Sequence, residues 1–136
     1  MKNQEKVVQP FKVEIEVSHD RVLDMLTGAL EGGSNYWYFI GPSSEKRICE
    51  ATKDMEGEPF VDRFWKAIQL GVRINIFDIE TRDKLGSITL ESIAKGLQIM
   101  QSKHAEHFGN LISENDDAET ADVFFQLAVM GELVYG

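Results

Sequence analysis

Gly28-Ala29-Leu30-Glu31-Gly32-Gly33-Ser34-Asn35-Tyr36-Trp37-Tyr38-Phe39-Ile40 brings a helix end, a glycine pair, a polar corner and an aromatic run together within thirteen residues. Leu23, Leu26 and Leu30 recur at helical spacing, and Gly32-Gly33 offers the left-handed conformation that ends a helix without a Cβ penalty. Beyond the turn, Tyr36 to Ile40 reads as a strand entering the core. Strand alternation would set Trp37 and Phe39 on one face and Tyr36, Tyr38 and Ile40 on the other, with Ser34 and Asn35 in the corner and Glu31 at its mouth. Two readings stay open: a recess that offers aromatic rings to a ligand, or a plain helix stop followed by core filling.

Upstream of this stretch, Phe11, Val13, Ile15 and Val17 alternate with Lys12, Glu14 and Glu16, the pattern of a half-buried strand. Ser18 is placed to cap the helix that carries Val22, Leu23, Leu26, Ala29 and Leu30. Downstream, Ser43 or Ser44 can cap a short helix over Glu45 to Thr52, and Pro59 suits the first position of another, with a Phe60, Phe64, Ala67 and Ile68 stripe beside Trp65. Val72–Ile79 and Lys84–Thr89 flank Glu80-Thr81-Arg82-Asp83 as a hairpin. Thr89 then caps a long helix with Leu90, Ile93, Leu97, Met100, His104 and Phe108 on one face, closed by Gly109. A last helix runs from about Ala118 to Met130, leaving Glu132–Gly136 as a tail strand or a continuation. These elements predict an α+β fold: residues 1–10 a flexible arm, and residues 11–136 a single domain with a mainly antiparallel sheet of about four strands and helices packed on one face. Their order leaves a mixed sheet open.

A chain of 136 residues buries about two thirds of its unfolded surface, so its stability requires neither disulfides nor a metal. The one cysteine, Cys49, fits a reducing cytoplasm, and neither a secretion signal nor an apolar run of membrane-spanning length is expected. Of the net charge of −9, two thirds is concentrated from Glu114 onward, where Glu114, Asp116, Asp117, Glu119, Asp122 and Glu132 meet no lysine or arginine. A basic face for a phosphate backbone is not visible, which argues against direct nucleic-acid binding. The acidity either keeps the chain soluble or imitates a nucleic acid towards a DNA-binding partner.

Motifs for catalysis are sparse, and no cofactor is expected. His104 and His107, with Glu106 between them, lack a third ligand at metal spacing, and a helix C-terminus explains the pair equally well. Ser18-His19-Asp20 reads as capping and not as a triad, because adjacent residues at a helix start point different ways. Cys49 has only Lys46 and Arg47 near it in sequence to activate it, and no phosphate-cradling glycine pattern occurs. Asp122 and Gln126 are four apart inside the apolar run Val123 to Met130. They either face solvent or line a site or subunit interface.

Ala29-Leu30-Glu31-Gly32-Gly33-Ser34-Asn35-Tyr36-Trp37, with the ending Ala121-Asp122-Val123-Phe124-Phe125-Gln126-Leu127-Ala128-Val129-Met130-Gly131-Glu132-Leu133-Val134-Tyr135-Gly136, resembles a family of small proteins encoded by bacteriophages and mobile elements. The resemblance implies a non-enzymatic accessory protein that blunts host defence, by sequestering a nucleotide-derived signal or by occupying a defence protein. On that basis Glu31, Asn35, Tyr36, Trp37, Asp122 and Gln126 are expected to form one pocket for a small nucleotide-like ligand in a cytoplasmic homo-oligomer. Tyr36 or Trp37 would stack on the ring, and Arg63, Lys66 or Arg73 would meet an anionic group. The alternatives are an acidic inhibitor of a host defence or DNA-binding protein, and a hydrolase using His104 and His107.

Overall fold

A computed structural model describes residues 8–136, and part of the expected N-terminal arm, residues 1–7, lies outside the described residues. The element at the centre is the last helix. Val123, Phe124, Phe125, Leu127, Ala128 and Val129 make it apolar on nearly every side, and a helix of that kind is stable only when surrounded. α6 (Ala118–Met130) accordingly buries ten of its thirteen residues. The Asp117 side chain accepts from Thr120 N at its start, and Gly131, at φ 77°, ends it in the left-handed region.

The other elements are laid around α6. α1 (His19–Gly28) starts at the Ser18 cap, whose side chain accepts from Arg21 N at 3.2 Å, as the sequence predicts. It runs into a π-helical turn, Ala29–Gly33, and then β1 (Tyr38–Ile40). α2 (Pro42–Ala51) and α3 (Phe60–Gln69) follow, with α3 burying Val61, Phe64, Trp65, Ala67 and Ile68. The hairpin is β2 (Ile74–Asp78) and β3 (Lys84–Ile88), and the last layer is α4 (Leu90–Lys103) and α5 (Ala105–Ile112). The sheet is antiparallel, in the order β1-β2-β3, with Phe39 opposite Phe77 and Ile74 opposite Ile88. Among the described residues, no helix is long and apolar enough to cross a membrane.

The fold is α+β, with three strands among the described residues where about four were expected. Phe11–Val17 forms no strand: Phe11 is fully exposed and Val13 is 78% exposed, because alternation alone supplies no neighbouring strand to pair with. The long helix expected from Thr89 breaks at His104 (φ −134°, ψ 54°), and the second piece passes Gly109 to end at Ile112. The break re-aims Phe108 and Leu111 into the core, and Arg21 ties the end of α5 to α1 by donating twice to the Leu111 carbonyl, at 2.8 and 3.1 Å. Ser43 and Ser44 do not cap α2, which begins at Pro42 after Gly41, and Ser44 instead accepts from Asn75 N. Pro59 stands at the N-cap of α3, one position earlier than expected, and Phe60 is 40% exposed, not part of the buried stripe. The tail after Gly131 is neither strand nor helix.

Close approach, not backbone freedom, explains the central glycines. Neither Gly32 nor Gly33 takes the expected left-handed conformation. A Cβ on Gly33 would lie 2.6 Å from the Ala118 carbonyl oxygen, so the corner fits against the start of α6 only without a side chain. Gly96 does the same for α4, where a Cβ would come within 2.9 Å of the α6 backbone at Leu127 and Ala128.

Candidate functional site

Two short backbone devices bring the corner to α6. Ser34 N bonds the Ala29 carbonyl to close the π turn, and Trp37 N bonds the Ser34 carbonyl to make a tight turn before β1. The strand therefore begins one residue after Trp37, and the expected alternation fails. Trp37 packs with Tyr38 against Phe125 of α6, whereas Phe39 stacks on Phe77 beneath the Arg82 guanidinium. The indole is 2% exposed.

Asp122 sits beneath that corner, one face of α6 away from solvent. Its Oδ1 accepts from Ser34 Oγ at 2.7 Å and from Trp37 Nε1 at 2.8 Å. Its Oδ2 accepts from the Tyr36 hydroxyl at 2.6 Å and from Gln126 Nε2 at 3.1 Å. Four donors, three from the Ser34–Trp37 corner and one from α6 itself, thus converge on one buried carboxyl group. Such a group is tolerated in a core because its lone pairs are filled.

Gln126 extends the network to the C-terminal tail. Its Oε1 accepts from Val134 N and Tyr135 N, both at 2.9 Å, and its Nε2 donates to the Tyr135 carbonyl at 3.1 Å. Held in this way, the Tyr135 ring lies on the Trp37 indole, with centroids 5.1 Å apart and planes 11° from parallel. Its hydroxyl donates to Asp78, whose other oxygen accepts from Glu80 N and Thr81 N in the hairpin turn. Beside the stacked rings is a recess of about 170 Å³ lined by Tyr36, Trp37, Asp78, Ile79, Glu80 and Tyr135.

The expected site residues divide four to two. Tyr36, Trp37, Asp122 and Gln126 meet, with Asp122 and Gln126 buried and not solvent-facing. Glu31 and Asn35 are exposed and make no side-chain hydrogen bond among the described residues. Sequence reasoning missed Ser34 as a donor, and it missed Tyr135 and Asp78, whose proximity depends on the path of a tail with no periodic pattern. The candidate cations lie elsewhere. Arg63 donates to Thr52 and Cys49 on the α2 side, and Arg73 borders a cavity with Ile68, Thr89 and Leu90. His107 shares a hydrogen bond with Thr120 at 3.0 Å, and no cluster of metal ligands occurs among the described residues.

All three tyrosines of the chain have phenols pushed up to about 12. Burial is the first cause for each, and the Asp122 and Asp78 carboxylates add to it for Tyr36 and Tyr135. Tyr36 is half-exposed as a residue, but its hydroxyl is turned inward onto Asp122. A phenol raised in the folded state contributes stability that is complete below its unfolded value of 10.0 and is lost as the pH rises towards about 12. Absorbance titration at the tyrosinate band is therefore expected to find no phenol ionising near pH 10 in the native chain, and all three ionising together with unfolding at higher pH. An ordinary titration with the fold intact would show that the phenols are not held. At the acid end, Tyr135 and the turn amides hold the Asp78 carboxyl below the usual carboxylate range, so that contribution is lost only as the pH falls through the lowered value.

The fold and site together define a small α+β protein whose buried carboxyl and carboxamide clasp an aromatic corner and a C-terminal tyrosine. Comparisons with protein-family models, curated proteins and solved structures find no match to the chain.

Proposed function

We propose that the chain is a non-enzymatic binding protein that takes a planar, hydrogen-bonding ring of the nucleobase or nucleoside type on the face of Trp37. The observation that carries this reading is the stacked Tyr135. The Trp37 face already carries an aromatic ring, borne on the segment after Gly131 and forming one wall of the recess, and ring and segment are held there by hydrogen bonds to Gln126 and Asp78. A ligand that displaces the tail inherits these groups.

The chemistry favours a purine. With the tail gone, the Gln126 carboxamide has Oε1 free to accept and Nε2 free to donate. A side-chain amide offered in this way is the complement of the adenine edge that carries an amine beside a ring nitrogen. Asp78 and Glu80 at the rim suit sugar hydroxyls, while the absence of a cation from the lining disfavours a polyphosphate. The phage-type context rests on the resemblance of the two sequence blocks. In that context the role is sequestration of a nucleotide-derived signal in the host cytoplasm, by a single-domain chain.

The acidic-inhibitor alternative draws less support. Of the four acids grouped around the start of α6, Glu114, Asp116, Asp117 and Glu119, Asp116 is engaged by Arg21 and Asp117 caps the helix, so half of the cluster has work within the fold.

Thermal unfolding with and without adenosine, AMP and ATP tests the proposal in the wild type and in Tyr135→Ala. Adenosine is expected to raise the midpoint of both, more at equal concentration for Tyr135→Ala, where no ring competes. A ligand at a hundred times its Kd adds about 2.7 kcal/mol. The shift should be accompanied by quenching of tryptophan fluorescence as the base stacks on Trp37. No shift and no quenching in folded Tyr135→Ala would overturn the reading.

A further inference from the structure

The strand-patterned segment Phe11–Val17 has no role in the site and no backbone hydrogen bond among the described residues. Phe11, Val13 and Ile15 are 100%, 78% and 46% exposed, three large apolar side chains at every second position. A monomer gains nothing from this arrangement. An extended segment with open amide and carbonyl groups and one apolar face is a template for pairing with another strand.

We propose that this segment pairs antiparallel with the same segment of a second copy of the chain, in the register that sets Val13 opposite Val13. Three observations choose this occupant. The alternation is self-matching, since every antiparallel register that keeps the apolar residues on one face also faces charged residue with charged residue. Among such registers, the one centred on Val13 places each Lys12 opposite Glu14 of the second copy, whereas the one centred on Glu14 sets two carboxylates opposite each other. The base of the segment is already anchored: Ile15 and Val17 border a groove of about 210 Å³ on α4 and α5, with Leu97 and Phe108 at its floor. A two-stranded ribbon is marginal in water by itself, and this groove supplies the apolar surface on which its paired face can rest.

The full chain is tested by sedimentation across a wide concentration range, with variants at positions that the monomer leaves exposed and so does not need for folding. The wild type is expected to form a dimer. Val13→Lys, which brings two ammonium groups together on the axis, should weaken it by about tenfold or more. Lys12→Glu and Glu14→Lys should each weaken self-association, because either change sets like charges opposite one another, while an equimolar mixture of the two should recover a heterodimer. Monomeric wild type at every concentration, a dimer indifferent to Val13→Lys, or a mixture that fails to associate would each overturn the proposal.

Discussion

Asp122→Ala is expected to cost about 3–5 kcal/mol of unfolding free energy, because it leaves the donors of Ser34, Trp37 and Gln126 buried without an acceptor at about 1–3 kcal/mol each. Ser34, Trp37 and Gln126 are at most 2% exposed, so water cannot replace the lost oxygen, whereas Tyr36 is half-exposed and can turn outward. For a domain of ordinary stability, about 5–15 kcal/mol, that is a large part of the whole. Asp122→Asn should cost less, since one oxygen still accepts while the new amide hydrogens face donors. Urea titration that compares midpoints at constant slope reads both losses. Asp78→Ala, at the solvent edge of the same network, serves as the control and should move the midpoint little. A small loss in Asp122→Ala would show that the four hydrogen bonds are incidental to the fold.

The second expected effect is a reversal of sign between two helical glycines. Replacing glycine by alanine in an open helix stabilises by up to about 1 kcal/mol. Gly109 of α5 has nothing within 4 Å of the added Cβ, and Gly109→Ala should show that gain. Gly96 of α4 is different, for its Cβ would lie 2.8 Å from Ala128 N and 2.9 Å from both Ala128 Cα and the Leu127 carbonyl carbon. These are backbone atoms of the most buried helix and cannot rotate away. The two helices must separate, which costs about 1–3 kcal/mol for overpacking and outweighs the propensity gain. Thermal or chemical unfolding of the two variants should therefore shift in opposite directions. Equal gains would mean that α4 and α6 pack with more slack than their spacing indicates.

The central stretch shows how far local pattern carries. The helix from Ser18, the hairpin around the Glu80–Asp83 turn and the span of α6 were all legible, since capping side chains, alternation and apolar runs act over a few residues. The meeting of Tyr36 and Trp37 with Asp122 and Gln126 was also expected, from two polar-aromatic blocks at opposite ends of the chain. What could not be read was the occupant of the Trp37 face. Tyr135 reaches it because Gly131 ends α6 and Gln126 then grips the tail, a path set by contacts and not by periodicity. Strand pairing likewise escaped local reading: Phe11–Val17 carries the clearest alternation in the chain and pairs with no strand among the described residues.

By itself the sequence determined where most of the helices and the hairpin lie, because capping and apolar spacing are properties of neighbouring residues. Tertiary structure alone decided that α6 is the centre, that Gly33 and Gly96 are needed for clearance, and that the indole is covered by the chain's own tyrosine. Those outcomes depend on which surfaces come within a few ångströms of each other, and such distances are set by the packing of the whole chain.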